Sequence, residues 1–208
     1  MTSRVVEVDP ARLERWLVGF ADRHGPYERA DERSPCGSVV SAVAADGTRA
    51  VARPFEHDPL GLVLVRRGGY AVGIATGPAL SASKVGTRHV QSRTAAGGWS
   101  QQRFARRRGK QADELVDAVV GHALRVVLGG DESPRSSAPG IPRGLVVGGD
   151  RTLVAEVLGA SALRALLGLP RRELYDLPDP KRAVLEAALR RGRALRITLT
   201  DPDQPPTP

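Results

Sequence analysis

The sequence predicts an α/β fold in which a mixed β-sheet is packed by helices. Strand-like runs joined by glycine turns precede the middle of the chain, whereas helical and strand-like segments alternate in the second half. Hydrophobic residues make up 41% of the 208 residues, which is enough for a packed core. The length fits one domain, with or without a small appendage.

A first helix is predicted after Asp9-Pro10, because aspartate caps helices well and proline fits their first turn. Gly25-Pro26 would end this helix, and we expect the polar stretch Tyr27–Pro35 to be a loop. Apolar residues at helical spacing support the helix: Leu13, Trp16, Leu17 and Phe20.

Glycine-containing turns predict two β-hairpins, one around Asp46-Gly47 and one around Arg67-Gly68-Gly69. A further strand of alternating polarity follows the second hairpin. The predicted strands are Ser38–Ala44, Thr48–Pro54, Leu62–Arg66, Tyr70–Thr76 and Leu80–Gln91.

A long helix is predicted after Gly97-Gly98. Gly109 is a candidate break between a basic first part and a packed second part. The helical apolar stripe comprises Phe104, Ala112, Leu115, Val116, Val119, Val120, Ala123, Leu124 and Val127.

The remainder of the chain alternates between helices and strands. Residues 129–144, rich in Gly, Pro and Ser, are expected to form a mobile loop, and the proline-rich tail 201–208 to be disordered. The predicted elements are a strand at Leu145–Val147, helices at Thr152–Leu158 and Ala160–Leu167, a short strand at Arg171–Leu177, a helix from Asp179-Pro180 to Arg191, and a strand at Ala194–Leu199.

Composition excludes several classes of protein. Cys36 is the only cysteine, which excludes an internal disulfide and a cysteine-based zinc site. Aromatic residues make up 4%, which argues against a single-strand binder built on stacked bases. The charged start lacks the apolar segment of a signal peptide, and no apolar run is long enough for a membrane span. We therefore expect a cytoplasmic monomer without a metal or cofactor.

The positive charge of the chain is local. No Asp or Glu occurs from Pro59 to Ala112, a span that holds ten of the 31 Lys and Arg residues. This leaves 21 basic against 23 acidic residues elsewhere, so the formal net charge of +8 originates in this span. Such a concentration favours a polyanionic partner, most often nucleic acid, over a merely solvated basic surface.

The centre of the basic span is a glycine turn followed by two amides and a basic helix. Gly97 and Gly98 allow positive φ and close approach of a ligand to the backbone. Ser100 can cap the helix, and Gln101 and Gln102 supply neutral donors and acceptors. Arg103, Arg106, Arg107 and Lys110 share one helical face by their spacing.

The run Gly97-Gly98-Trp99-Ser100-Gln101-Gln102-Arg103-Phe104-Ala105-Arg106 resembles a known motif. It is similar to the glycine–glycine–glutamine loop and following helix in the middle domain of eukaryotic and archaeal class I peptide chain release factors. It resembles still more the actinobacterial branch of the VMS-type release factors, which free nascent chains from stalled ribosomes. The resemblance covers Leu62 to Leu199 and is densest between Thr87 and Ala112.

This resemblance implies a ribonuclease-H-like α/β fold of the release-factor middle-domain type. It implies a catalytic domain at 59–200, preceded by an accessory helix and β-hairpin at 1–58. The partners would be the rRNA of the large ribosomal subunit and peptidyl-tRNA. The loop would enter the peptidyl transferase centre, where a glutamine would help water attack the ester that joins peptide to tRNA.

The position of the glutamine departs from the release-factor pattern. Those factors place it directly after the second glycine, where this chain has Trp99. The VMS-type relatives shift their glutamine along the chain, so Gln101 is the first catalytic candidate and Gln102 the second, with Gly97 and Gly98 forming the turn. In the unshifted register Trp99 would face the ester.

The basic surface beside this turn supplies the candidate RNA-binding residues. Arg88 and His89 lie next to each other within the acid-free span, so His89 is included. The full set is Lys84, Arg88, His89, Arg93, Trp99, Arg103, Arg106, Arg107, Arg108 and Lys110.

The sequence gives less support to a metal site or a cysteine nucleophile. A two-metal nuclease would need clustered carboxylates, and Asp46, Asp58 and Asp150 lie outside the glycine–glutamine segment. Cys36 has no basic partner nearby in sequence. The four histidines, His24, His57, His89 and His122, lack metal-ligand spacing.

Two local patterns stay open. Gly148-Gly149-Asp150 after a strand could cradle a phosphate, although without a fuller glycine fingerprint it is better interpreted as a turn. A second basic cluster is either a solvated helix end or an auxiliary rRNA contact: Arg190, Arg191, Arg193 and Arg196.

Two functional hypotheses follow. The first is a peptidyl-tRNA hydrolase that acts on stalled large ribosomal subunits in rescue or quality control. The second is a non-catalytic RNA- or ribosome-binding module that uses the same basic face. Both require salt-sensitive RNA binding.

Overall fold

The computed structural model describes residues 3–87, 100–129 and 140–202, with the backbone alone for residues 100–108. The chain forms two compact units, one made of residues up to Glu56 with those from Arg190 onward, and the other of His57–Leu189. Each unit has its own five-stranded sheet. The predicted α/β class with a mixed sheet packed by helices is confirmed. The functional division at residue 58 stays a prediction.

The first unit, unit 1, is an antiparallel sheet covered by one helix. Its strand order is β1-β10-β4-β3-β2. Leu17 and Phe20 of the helix are buried against Ala42, Ala50 and Ile197 of the sheet. The elements are β1 (Ser3–Val8), α1 (Leu13–His24), β2 (Tyr27–Ser34), β3 (Gly37–Ala44), β4 (Arg49–Arg53) and β10 (Leu195–Thr200).

The expectation of a loop at Tyr27–Pro35 was wrong. β2 pairs with β3 along its whole length, from Tyr27 opposite Ala44 to Ser34 opposite Gly37. Most of its residues are exposed, and the strand is polar on both faces. It therefore lacks the alternation of apolar and polar residues from which a strand is predicted. It is held by backbone pairing with β3, by Tyr27, which packs against the core of unit 1, and by Arg29, which forms an ion pair with Glu14 of α1.

The second unit, unit 2, is a mixed sheet with helices. The elements are β5 (Leu60–Arg66), β6 (Gly69–Thr76), β7 (Ala79–Gly86), α2 (Ser100–Val127), β8 (Gly144–Gly149), α3 (Arg151–Gly159), β9 (Arg171–Leu174) and α4 (Arg182–Arg193), whose last residues belong to unit 1. The strand order is β7-β6-β5-β8-β9, in which β5, β8 and β9 pair in parallel and β6 pairs antiparallel with both β5 and β7.

The two faces of the unit 2 sheet are covered by different helices. On one face Val63 and Val72 pack with Leu115 and Val119 of α2. On the other face Gly73 lies against α4, since a Cβ at this glycine would meet the Leu185 side chain at 3.2 Å. This arrangement fixes α2 on one side of β5, β6 and β7.

Most predicted elements of unit 2 are confirmed, with changed limits. α2 continues through Gly109, so a break there was a wrong expectation. The helix predicted at Ala160–Leu167 is a 3-10 helix at Ser161–Leu166. β7 ends at Gly86 rather than near Gln91. Residues 130–139 of the expected mobile loop and 203–208 of the expected disordered tail lie outside the described residues.

Candidate functional site

The helix α2 has a packed second half. Leu115, Val119, Ala123 and Val127 recur every four residues and are buried. Ala112 packs at the edge of the same core, whereas Gly109 and Lys110 are exposed. The contact of α2 with its unit therefore begins close to residue 112 among the side chains that the structure describes.

The charge of α2 changes sign at the same place. Lys110 ends the basic run, and Asp113 and Glu114 follow within one turn. With 3.6 residues per turn, positions 103, 106, 107 and 110 fall on the side of the helix opposite the stripe that begins at Leu115. The helix thus places these four basic positions on the side away from the core stripe and before its packed half.

Three residues fasten the end of β7 to α2. Tyr70 pairs with Gly86 across β6 and β7. A Cβ at Gly86 would come within 2.5 Å of the Tyr70 ring, so this ring needs a glycine beneath it. The ring also stacks on His122 of α2, with centroids 5.2 Å apart and planes at 19°. His122 is fixed in turn, because its Nδ1 accepts a hydrogen bond of 2.9 Å from Arg125.

This assembly lies where the chain leaves the sheet for the glycine–glutamine segment. β7 ends at Gly86, and the next element among the described residues is α2, which begins at Ser100. The Tyr70–His122 stack therefore fixes the strand before that segment relative to the helix after it. Sequence reasoning missed this role. The available signal was an aromatic residue and a glycine on two successive predicted strands, Tyr70–Thr76 and Leu80–Gln91.

Lys84 and Lys110 are the two predicted RNA-binding residues whose side chains are described. Lys84 is exposed on the edge strand β7 and lies opposite Val72, so it projects from the face of the sheet that carries α2. Lys110 is exposed on α2. Neither ammonium forms an ion pair with another described side chain, so both charges are available to a ligand.

The other predicted site residues fall into two groups. The positions that carry the amides and the arginines lie on the first turns of α2, where the backbone is helical: Gln101, Gln102, Arg103, Arg106, Arg107 and Arg108. The remaining positions lie outside the described residues: Arg88, His89, Arg93, Gly97, Gly98 and Trp99.

The carboxylates considered for metal chemistry bond to the backbone. Asp58 accepts a hydrogen bond of 2.9 Å from Gly77 N–H, and Asp150 accepts from Thr152 N–H at 2.9 Å. The backbone N–H of Thr48, and then His24, hold the pKa of Asp46 below its usual value. Within the described residues no group of three or more His, Cys, Asp and Glu side chains is placed to hold a metal ion.

The two open patterns are also clarified. Gly148 and Gly149 are the last residues of β8, Gly149 has a φ of 102°, and Asp150 caps α3, so the chain passes here directly from strand to helix. In the basic cluster near the C-terminus, Arg191 donates to Glu7 at 2.6 Å. Arg196 approaches the same carboxylate at 3.7 Å. At least these two arginines have a structural partner.

Comparison with known proteins matches most of the chain. A family model described as the Actinobacteria/chloroflexi VLRF1 release factor matches residues 58–198. No curated protein matches the chain significantly. Among the described helices, none combines the length and apolar character that crossing a membrane requires.

Proposed function

Because the chain belongs to the Actinobacteria/chloroflexi VLRF1 release factor family, we propose that it is a peptidyl-tRNA hydrolase. Family membership implies a release-factor-like role in translation and interaction with the ribosome. The finer proposal is that the protein frees nascent chains from stalled large ribosomal subunits in rescue or quality control. Action on ribosomes would place it in the cytoplasm.

The observation that carries this proposal is the position of the glutamine pair on the fold. Gln101 and Gln102 occupy the first turn of α2, whose second half is anchored in the core of unit 2. The glycine pair lies just before that turn. A rigid helix with an amide-bearing start can present these groups to a substrate outside the protein.

The basic part of α2 would bind rRNA in this proposal. The positions 103, 106, 107 and 110 lie on one side of α2. Lys84 is exposed on β7, on the face of the sheet that carries α2. Arg and Lys side chains bind phosphates without reading sequence, so they would position the protein while the amides act on the ester.

The chemistry requires positioning of one water molecule. The water oxygen attacks the ester carbonyl carbon, and the bond from this carbon to the ribose oxygen breaks. One water proton passes to the ribose oxygen, which leaves a free tRNA end and a peptide carboxyl group. An amide does not titrate near neutral pH, so Gln101 or Gln102 would orient the water by hydrogen bonds and would not remove its proton.

The test is release of peptide from stalled peptidyl-tRNA on isolated large subunits. Wild type should release peptide, and Gln101→Ala should reduce the rate by about a hundredfold or more, in line with loss of one positioned dipole. Co-sedimentation with subunits should be retained. Gln111→Ala, on the same helix beyond the motif, is the matched control and should release at the wild-type rate.

The same experiment separates the alternative. If Gln101→Ala and Gln102→Ala, singly and together, release peptide normally, the glutamines have no part in the mechanism. If wild type binds large subunits but releases nothing, the chain is a ribosome-binding module.

A further inference from the structure

Unit 1 contains a cleft over the exposed side of α1. Its volume is about 470 Å³, within the range of roughly 300–1,000 Å³ that small-ligand sites occupy. The residues that matter for its chemistry are Glu7, Arg12, Arg15, Trp16, Gly19 and Arg23. All precede the segment that matches the release factor family.

The cleft is positively charged. Arg12, Arg15 and Arg23 are exposed, and none of the three guanidinium groups forms an ion pair with another described side chain. The charge of Glu7 is offset, because Arg191 and Arg196 both approach its carboxylate. Three cations therefore line the cleft without an ion-pair partner among the described side chains.

The three cations outnumber the two acidic groups of the lining. Glu7 is engaged as described, and Asp9 Oδ1 accepts a hydrogen bond of 2.9 Å from Ala11 N–H at the start of the helical segment. Both carboxylates thus have local structural partners. The excess of positive charge in the lining favours an anionic ligand.

Trp16 provides a fixed flat surface in the same cleft. Its ring stacks on Phe20 with centroids 5.6 Å apart and planes at 13°. Phe20 is completely buried, so the indole rests on the core of unit 1 while it stays partly exposed to the cleft. Next to it Gly19 carries no side chain, and the Arg23 guanidinium lies 3.4 Å from the place where a Cβ would be.

We propose that this cleft binds an unpaired nucleotide of RNA. The base stacks on Trp16, and the phosphates on either side of it pair with Arg12, Arg15 and Arg23. An acidic peptide would satisfy the cations but would leave the flat indole surface without a matching partner, whereas a nucleotide uses both. The proposal concerns unit 1 and does not depend on peptide release by the glutamine pair.

Trp16 itself can report binding. The chain has two tryptophans, Trp16 and Trp99, so Trp99→Phe in the full-length protein leaves Trp16 as the only indole. Titration with a six-nucleotide adenylate RNA should quench this fluorescence in a saturable way. Adenosine monophosphate should quench it at higher concentration, and inorganic phosphate should not, because phosphate has no ring to stack.

Charge reversal locates the contact. In the Trp99→Phe background, Arg12→Glu with Arg15→Glu should weaken RNA binding at least tenfold and lower the slope of log affinity against log salt by about 0.7 per lost contact. The matched control reverses two exposed arginines of β4, Arg49→Glu with Arg53→Glu. It should keep affinity within threefold. Arg23→Gln is a milder single change that should also weaken binding if the first pair impairs folding.

Several results would overturn the proposal. RNA that leaves Trp16 fluorescence unchanged would exclude base stacking. If the Arg12/Arg15 and Arg49/Arg53 charge reversals weakened RNA binding equally, the RNA would be attracted by the net charge of the protein alone. Binding of a polyglutamate peptide as tight as that of the RNA would indicate a protein partner instead.

Discussion

Tyr70 of β6 and His122 of α2 stack with their ring centroids 5.2 Å apart, above a glycine that ends the neighbouring strand. The pair ties the last residue of β7 to the packed half of the helix that carries the glutamine positions at its start. Offset aromatic pairs of this kind contribute roughly 0.5–1.5 kcal/mol beyond the area they bury.

The first prediction concerns this stack. His122→Ala and Tyr70→Leu should show a coupling energy of about 0.5–1.5 kcal/mol in a double-mutant cycle of urea unfolding, because each change removes the same ring contact. Tyr70→Phe keeps the ring and should retain most of the coupling with His122. Additive effects of His122→Ala and Tyr70→Leu would show that the rings do not interact.

The second prediction contrasts two glycines. Gly86→Ala should cost about 1–3 kcal/mol of folding free energy, because its methyl group would overlap the Tyr70 ring. Gly109→Ala should instead stabilise the protein by about 0.5–1 kcal/mol, since the helix continues through it into open space. Thermal and urea unfolding of both variants would test this. A stable Gly86→Ala protein would contradict the ring position.

The third prediction concerns the cap of α3. Asp150 accepts hydrogen bonds from the N–H groups of Thr152 and Leu153, so Asp150→Ala should cost about 1 kcal/mol of folding free energy. Asp117→Ala, at an exposed position within α2, should be neutral or slightly stabilising. If urea unfolding gave both variants the same midpoint, the cap would have no measurable role.

The fourth prediction concerns acid sensitivity. Burial, and to a lesser extent the charge of Arg172, lowers the pKa of His57. The unfolded chain then binds this proton more readily than the folded chain. The resulting stabilisation is present above the unfolded pKa of about 6.5 and is lost as the pH falls through the lower folded pKa.

His57→Gln should abolish this loss of folding stability at low pH. The urea midpoint of the variant should change less than that of wild type between about pH 7.5 and about pH 5. Parallel curves for the two proteins would show that His57 does not titrate differently on folding.

The sequence predicts the fold best where burial leaves a pattern along the chain. The apolar stripe of α2 and the β3–β4 hairpin are confirmed because one face of each is buried. The β5–β6 hairpin is confirmed because two continuously buried apolar runs flank a glycine turn. β2 was missed because both of its faces are polar, and β1 because its pairing partner, β10, lies at the far end of the chain. The pairing of Val6 with Ile197 leaves no pattern in the local sequence from which β1 could have been predicted.

The candidate site was predicted through a motif rather than through geometry. The resemblance around Gly97 to Arg106 identified the family, and the family match to residues 58–198 confirms it. Catalytic and RNA-binding roles stay predictions. The Tyr70–Gly86–His122 assembly and the cleft beside Trp16 depend on contacts between elements, which spacing along the chain does not show.

The placement of β10 between β1 and β4 has a practical consequence for protein engineering. A fragment cut at the limits of the family match would keep Leu195 and Ile197 but would lose both strands that hydrogen-bond to them. Two bare strand edges and an uncovered apolar surface would then invite self-association. A fragment that begins at His57 and ends at Leu189 would avoid this. A fragment of the first fifty-six residues would need β10 to be supplied, covalently or as a peptide, to be soluble.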